Sequence, residues 1–259
     1  MTPLALKQRL SSASPTFGVF SSIASCVAFE QLALAGYDYV IIDVEHTLFN
    51  PAQLDSLLLA AKASGISALV RIPNSRWDWI APLLDAGATG IIAANIKTAA
   101  EAEALVAASY YYPLGKRGLN STRFNGYASQ DLAASNTAAN TKIVLIAMIE
   151  SREGLANASA ITAVTGIDAI LEGAADLSQD LGLPWQTQHP DVKSALQDLQ
   201  TVCARQSCGY IALPRQLPDI SQWRMRGIHH FVLGDDRSIM RRAHQQHLNA
   251  YLQEYQLGG

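Results

Sequence analysis

Cysteine is scarce in this chain: Cys26, Cys203 and Cys208 are the only three in 259 residues. They are too few and too scattered for a disulfide framework or a cysteine-rich zinc site. No apolar run reaches the ~18 residues that a spanning helix needs, and Asp85 interrupts the nearest approach to one. Residues 1–14 hold Lys7 and Arg9 but no apolar signal core, so the expectation is no export and a cytoplasmic location. Charge is modest at 16%, with 19 basic side chains against 22 acidic and a net of −3. That is not the concentrated basic face that coats a nucleic-acid backbone. No Gly-x-Gly-x-x-Gly opens a helical pattern, no stretch reads as a linker, and no internal repeat is visible.

What the chain has is hydrophobe, 49% of its residues, enough for a sizeable core and incompatible with disorder. Short β-branched runs recur at 16–21, 39–44, 68–72, 90–94, 142–150, 169–171, 209–213 and 230–233. Helical patterns lie between them at 29–35, 52–64, 77–86, 98–108, 154–164, 192–206 and 217–226, and a long final one covers 237–255 before Gly258 and Gly259. Thr98 followed by Glu101 is a capping-box pattern, and Asn50 sets a cap before Pro51 at the first helical position. Residues 113–140, rich in Asn, Ser and Ala, are expected to be irregular. Eight strands, each followed by a helix, in a length near the roughly 250 residues of an α/β barrel predict a TIM (β/α)8 barrel. One catalytic domain is expected over 1–259.

A barrel keeps its chemistry at the C-terminal ends of the strands, where the loops share one mouth. Ionisable residues gather at those predicted ends: Asp43, Glu45 and His46 after the second run, Arg71 in the third, Glu150 closing the fifth, Glu172 and Asp176 after the sixth. Glu150 and Asp176 suit a hard divalent cation, which binds through oxygen and often takes one or two carboxylates. Arg71 offers a planar fork to a carboxylate or to the oxyanion of an enolate. His46, within reach of Asp43 or Glu45, suits a base that titrates near neutrality. Together these groups fit proton transfer or carbon–carbon chemistry beside a carbonyl.

Structural readings stand beside these. Asp43 and Glu45 can cap the next helix, His46 can be a satisfied loop residue, and Arg71 an ion-pair partner. Glu150 can cap a helix near Arg152, and Asp176 can belong to a turn; Asp85, near a helix C-terminus, carries no signal alone. Imine chemistry needs a lysine at a strand's C-terminal end. Of Lys7, Lys62, Lys97, Lys116, Lys142 and Lys193, Lys97 alone lies near one, directly before the cap at Thr98. Metal assistance is favoured.

The segment Gly36-Tyr-Asp-Tyr-Val-Ile-Ile-Asp-Val-Glu-His46 resembles the glycine–aromatic–strand–Asp-x-Glu-His signature of the HpcH/HpaI family of metal-dependent 2-oxo-acid aldolases. Val70-Arg71-Ile-Pro73, Leu84-Asp85-Ala-Gly-Ala88, Tyr112-Pro113-x-Gly-x-Arg117-Gly118, Ile149-Glu150 and Gly173-Ala-Ala-Asp176-Leu-Ser178 follow in family order over roughly residues 15 to 240. The resemblance implies a TIM barrel holding Mg²⁺, Mn²⁺ or Co²⁺ through Glu150 and Asp176. It implies that pyruvate or a similar 2-oxo acid chelates that metal, with Arg71 stabilising the enolate. His46 is then the acid/base residue aided by Asp43. Asp85 is implied to reach a neighbouring subunit's site in a homo-oligomer, a dimer or hexamer, with the final helix exchanged between subunits.

The chain also departs from the family's pattern. Ala94-Asn95 stands where a Pro-Met pair is usual, Met148 where Gln is common, and Gly173-Ala174-Ala175-Asp176 where Gly-Pro-x-Asp is usual. Residues 117–123 differ from the usual Gly- and Ala-rich loop. Arg71, Met148, Ala175, Asp176, Asn95 and Arg123 are accordingly the candidate substrate-binding residues. The pattern implies a carbon–carbon lyase acting on 2-oxo acids through a pyruvate-type enolate. The alternative is similar to a branch, associated with carboxylate siderophore synthesis, that condenses oxaloacetate with acetyl-CoA into citrate. A non-catalytic barrel used for binding is the third reading.

Overall fold

Parallel strands covered by helices read as continuous apolar runs, and the segment Tyr39-Val-Ile-Ile is buried from end to end. The computed structural model describes residues 3–74 and 76–257; the predicted glycine end at 258 and 259 lies outside them. The strands are β1 (Thr16–Ser21), β2 (Tyr39–Asp43), β3 (Ser67–Ile72), β4 (Gly90–Ala93), β5 (Val144–Ile149), β6 (Ala169–Glu172), β7 (Gly209–Ala212) and β8 (His230–Asp235). They pair in sequence order, and β1 closes on β8. The expected TIM barrel is present.

Helices α1 (Pro3–Leu10), α2 (Cys26–Leu34), α3 (Pro51–Ser64), α4 (Ile80–Asp85), α5 (Ala99–Ser109) and α6 (Leu132–Lys142) belong to the first half. The second half carries α7 (Arg152–Ala156), α8 (Ala158–Thr162), α9 (Ala174–Asp180), α10 (Pro190–Arg205), α11 (Leu217–Met225) and α12 (Asp236–Leu257). Both predicted caps form: Asn50 and Gln53 exchange bonds, as do Thr98 and Glu101. The predicted helix at 154–164 is two pieces, because Asn157 leaves helical geometry and its Nδ2 donates to Lys97 O at 2.8 Å. The stretch expected to be irregular contains α6, which starts where Asp131 accepts from Ala134 N. Its Asn, Ser and Thr content, weak in helix propensity, hid it from the pattern. Among the described residues no helix is long and apolar enough to cross a membrane.

Strand side chains alternate between faces, and the core divides accordingly. Phe20, Tyr39, Ile41, Leu69, Ile92, Val144, Ile146, Met148, Leu171, Ile211 and Val232 fill the barrel, while Val40, Ile42, Val70, Ile91, Leu145 and Ile170 meet the helices. Helix α1 pushes Leu6 and Leu10 into the inner cluster. Lys7 anchors it: Nζ lies 2.7 Å from Asp168 Oδ1 and donates to Ile143 O at 2.7 Å and Tyr110 Oη at 3.1 Å. Burial pushes the Asp168 carboxyl up, and Lys7 pulls against that. Lys7→Met removes that partner from a buried carboxylate and is expected to lower stability by about 3 kcal/mol, read as a lower urea midpoint with unchanged slope.

Candidate active site

The alternation decides which charged residues meet. Tyr39 and Ile41 point inward, so Asp43 does as well; by the same count Arg71 follows Leu69, and Glu150 follows Val144, Ile146 and Met148. Three inward positions therefore carry charge: the end of β2, the adjacent β3, and the residue that follows β5, with β4 between them. Glu172 has the opposite parity, in step with Ile170, and faces the helices. There it accepts hydrogen bonds from Tyr210 Oη and from Leu213 N at 2.7 Å, and burial pushes its carboxyl up to about 6. It is outside the mouth.

Asp43 and Arg71 are register partners across β2 and β3. Arg71, 7% exposed, is gripped by two carboxylates. Its Nε donates to Asp43 Oδ1 at 2.9 Å, Nη2 lies 2.8 Å from Asp43 Oδ2, and Nη1 lies 3.1 Å from Glu45 Oε2. The guanidinium carbon sits 4.6 Å over the Phe20 ring, and Nη1 faces Met148 Sδ at 3.9 Å. Burial opposes the charge, but Asp43, Glu45 and Glu150 outweigh it and hold the guanidinium protonated. A fork fixed this rigidly loses little entropy on meeting a planar oxyanion or carboxylate.

Glu150 is 4% exposed. Its Oε1 accepts from Asn95 N at 2.8 Å, whereas Oε2 is buried without a hydrogen-bond partner. Burial, then Glu45 and Asp176, push its carboxyl up to about 8, against Arg71 and the Asn95 bond. Burial also raises Glu45, with Asp43 and Asp176 adding and Arg71 and His46 opposing. Asp176 is exposed in the first turn of α9, which occupies the segment read as a possible turn, and Ala175 beside it is half-buried. Gly173 is required between them, since a Cβ there would overlap the Glu150 carboxylate. An orphaned carboxylate oxygen amid acidic neighbours fits a cation. Among the described residues no group of three or more His, Cys, Asp or Glu side chains could hold a metal ion; an ion on Glu150 and Asp176 would take its remaining ligands from water or substrate, as Mg²⁺ often does.

His46 stands at the rim, its side chain 59% exposed and Nε2 3.8 Å from Glu45 Oε2. Asp43 does not orient the ring as expected. Its Oδ1 instead accepts from the backbone N–H of Glu45 and His46, at 3.2 and 3.3 Å, and so shapes the loop. Arg123 is a second correction. Its Nη1 donates to Ala86 O at 2.8 Å and Nη2 to Asp55 Oδ2 at 3.1 Å. It therefore sits on the outer side between α3 and α4, beside the entry to β4 and away from the mouth. Asp85 ends α4, also at the entry to β4, and pairs with a fully buried Arg117 stacked on Tyr111 and Phe124. It lies outside this chain's own mouth.

Asn95 is at the mouth, and Asn74 Nδ2 donates to its carbonyl at 3.1 Å. Sequence reasoning missed Asn74 and Phe20. Inward parity after Gly18 would have found Phe20; Asn74 belongs to a loop and left no periodic signal.

Residues 16–241 match the HpcH/HpaI aldolase/citrate lyase family. A hydroxypyruvate/pyruvate aldolase of Roseobacter denitrificans is 35% identical over 192 residues, 73% of this chain and 74% of that one. A 5-keto-4-deoxy-D-glucarate aldolase of Shigella dysenteriae is 30% identical over 246 residues, 94% and 95% of the two chains. The crystal structure of the citrate synthase SbnG superposes with a TM-score of 0.90 at 39% identity, covering 97% of this chain and 98% of that one. With the match running from β1 into α12, and Arg71 and Glu150 converging inside it, this chain belongs to the HpcH/HpaI aldolase/citrate lyase family.

Proposed function

We propose that this protein makes and breaks carbon–carbon bonds beside the carbonyl of a 2-oxo acid, cleaving a 4-hydroxy-2-oxo acid into pyruvate and an aldehyde. One observation carries the reading: a rigid, buried guanidinium at Arg71 shares the barrel mouth with Glu150, whose Oε2 is buried and unpartnered. Glu150 and Asp176 would hold Mg²⁺, Mn²⁺ or Co²⁺. When bound, the ion supplies positive charge where negative charge develops on the substrate oxygens. Arg71 directs N–H donors at the same oxyanion and is fixed before substrate arrives, so no reorganisation is needed as charge grows. Asp43 is a positioning residue for Arg71 and for the loop that carries His46. His46, at the rim beside Glu45, takes the proton of the 4-hydroxyl through water as the bond between carbons 3 and 4 breaks. The aldehyde leaves, and a proton delivered to carbon 3 of the enolate completes pyruvate. Met148 and Ala175 line the substrate's side of the mouth.

The second reading is a citrate synthase, favoured by the 39% identity to SbnG over nearly the full length of both chains. Oxaloacetate would then be the held electrophile, and His46 would draw a proton from the acetyl-CoA methyl. A paired assay separates the two. Pyruvate plus an aldehyde with Mg²⁺ should give an aldol product that EDTA abolishes. Oxaloacetate plus acetyl-CoA in EDTA should release no thiol. Thiol release in the second mixture alone would replace the aldolase by the synthase, and silence in both would leave a binding role.

A homo-oligomer belongs to the same proposal. Asp236 fastens the start of α12 to β1, accepting from Ser21 Oγ at 2.7 Å and Ser22 N at 3.0 Å. Beyond it the helix is exposed and presents Met240, Leu248, Tyr251, Leu252 and Tyr255. These side chains suit a second copy of the chain more than water.

A further inference from the structure

Asn95 follows β4 at the mouth with φ at 51°, in the left-handed region. Asparagine enters that region more readily than other residues bearing a Cβ. The conformation turns its N–H onto Glu150 Oε1 at 2.8 Å and leaves its carbonyl to accept from Asn74 Nδ2 at 3.1 Å. Its backbone is therefore fixed from two sides and lies against the Glu150 carboxylate. The side chain has no such use. Asn95 Oδ1 is buried without a hydrogen-bond partner, as is Glu150 Oε2. A buried polar oxygen left unpaired costs about 1–3 kcal/mol, and here two such acceptors belong to residues in direct contact. A single cation lying between them would satisfy both.

We propose that Asn95 Oδ1 is a third protein oxygen for the divalent cation that Glu150 and Asp176 would hold. The inference rests on the metal-assisted reading above and adds a donor to it. An amide oxygen adds less repulsion to the metal-free mouth than another carboxylate would. Glu45, Glu150 and Asp176 already repel one another there, and a neutral carbonyl adds coordination without adding charge. Asn74 acts through Asn95 as a positioning residue, holding the backbone turn from which the amide extends.

The test is direct Mn²⁺ binding by the full chain without substrate, read from the electron paramagnetic resonance signal of the free ion. Asn95→Gly keeps the left-handed backbone and the N–H to Glu150 while removing the donor. It is expected to bind Mn²⁺ about tenfold or more weakly than the wild type. Asn95→Asp, which restores an oxygen at the same reach, should recover wild-type affinity or exceed it. Should the glycine variant fail to fold, Asn95→Ala takes its place, and because a Cβ is strained at this φ its affinity counts only where its melting temperature matches that of Asn95→Asp. Wild-type affinity in Asn95→Gly, or equal weakness in Asn95→Asp and Asn95→Gly, overturns the third donor alone. A wild type that binds no Mn²⁺, or a Glu150→Gln variant that binds it as well as wild type, overturns the metal-assisted reading and the third donor with it.

Discussion

Arg71→Lys is expected to lower kcat/KM for carbon–carbon cleavage by about 10²–10³ while the barrel stays folded. The lysine keeps the positive charge between Asp43 and Glu45, so neither carboxylate is left alone. What it loses is the fork. Arg71 presents Nε and Nη2 to Asp43 and Nη1 toward Glu45 and Met148. An ammonium is one charge on a flexible stem and cannot hold two planar partners while facing a third. The loss should fall mainly on kcat, because an oxyanion donor acts most strongly on charge that appears in the transition state. Arg71→Ala is the less informative variant. It strands Asp43, 3% exposed, and is expected to cost about 3–5 kcal/mol of stability as well as activity. Near-wild-type turnover by Arg71→Lys, with substrate saturation unchanged, would reduce Arg71 to a structural partner of Asp43.

Arg71 also shows how far the sequence is legible. The barrel could be read from alternating runs because its strands are buried on both faces and its helices begin at strong caps, Asn50 and Thr98 among them. Period two then makes Asp43, Arg71 and Glu150 converge without further information. The same period, applied to Glu172, sends it outward to Tyr210, a distinction that proximity to a strand end alone did not make. Arg123 failed for another reason. Its position depends on how the loop between α5 and α6 folds back on Ala86 and Asp55, contacts 37 and 68 residues away in sequence, and no local pattern encodes them. Asp43 was assigned to the right place with the wrong partner, since a carboxylate two or three residues before an amide can cap a loop as readily as it can orient a ring.

Glu150→Gln is expected to cut activity about a thousandfold and to stabilise the metal-free fold. The amide keeps an oxygen for Asn95 N but offers a cation no charge; loss of the several kcal/mol that a bound ion contributes corresponds to a fall in rate of about a thousandfold. Stability should move the other way. Burial and the acidic neighbours push the folded carboxyl up to about 8, against an ordinary value of 4.5. Between those two values the folded state holds a proton that the unfolded chain has released. Wild-type stability in chelator therefore falls as pH rises from 4.5 through 8, by about 1.4 kcal/mol per unit. The glutamine variant has nothing to titrate at this position. Its advantage should be absent near pH 4.5, reach roughly 3 kcal/mol near pH 7, and level off above pH 8. Adding Mg²⁺ or Mn²⁺ should close the gap by stabilising the wild type alone, through mass action on the folded state. Thermal unfolding of both proteins from pH 5 to 9, with and without EDTA, reads all of this in one series. A variant that melts below wild type at pH 8 in EDTA would mean that a donor within the fold, rather than a bound cation, is what the Glu150 carboxylate is built to meet.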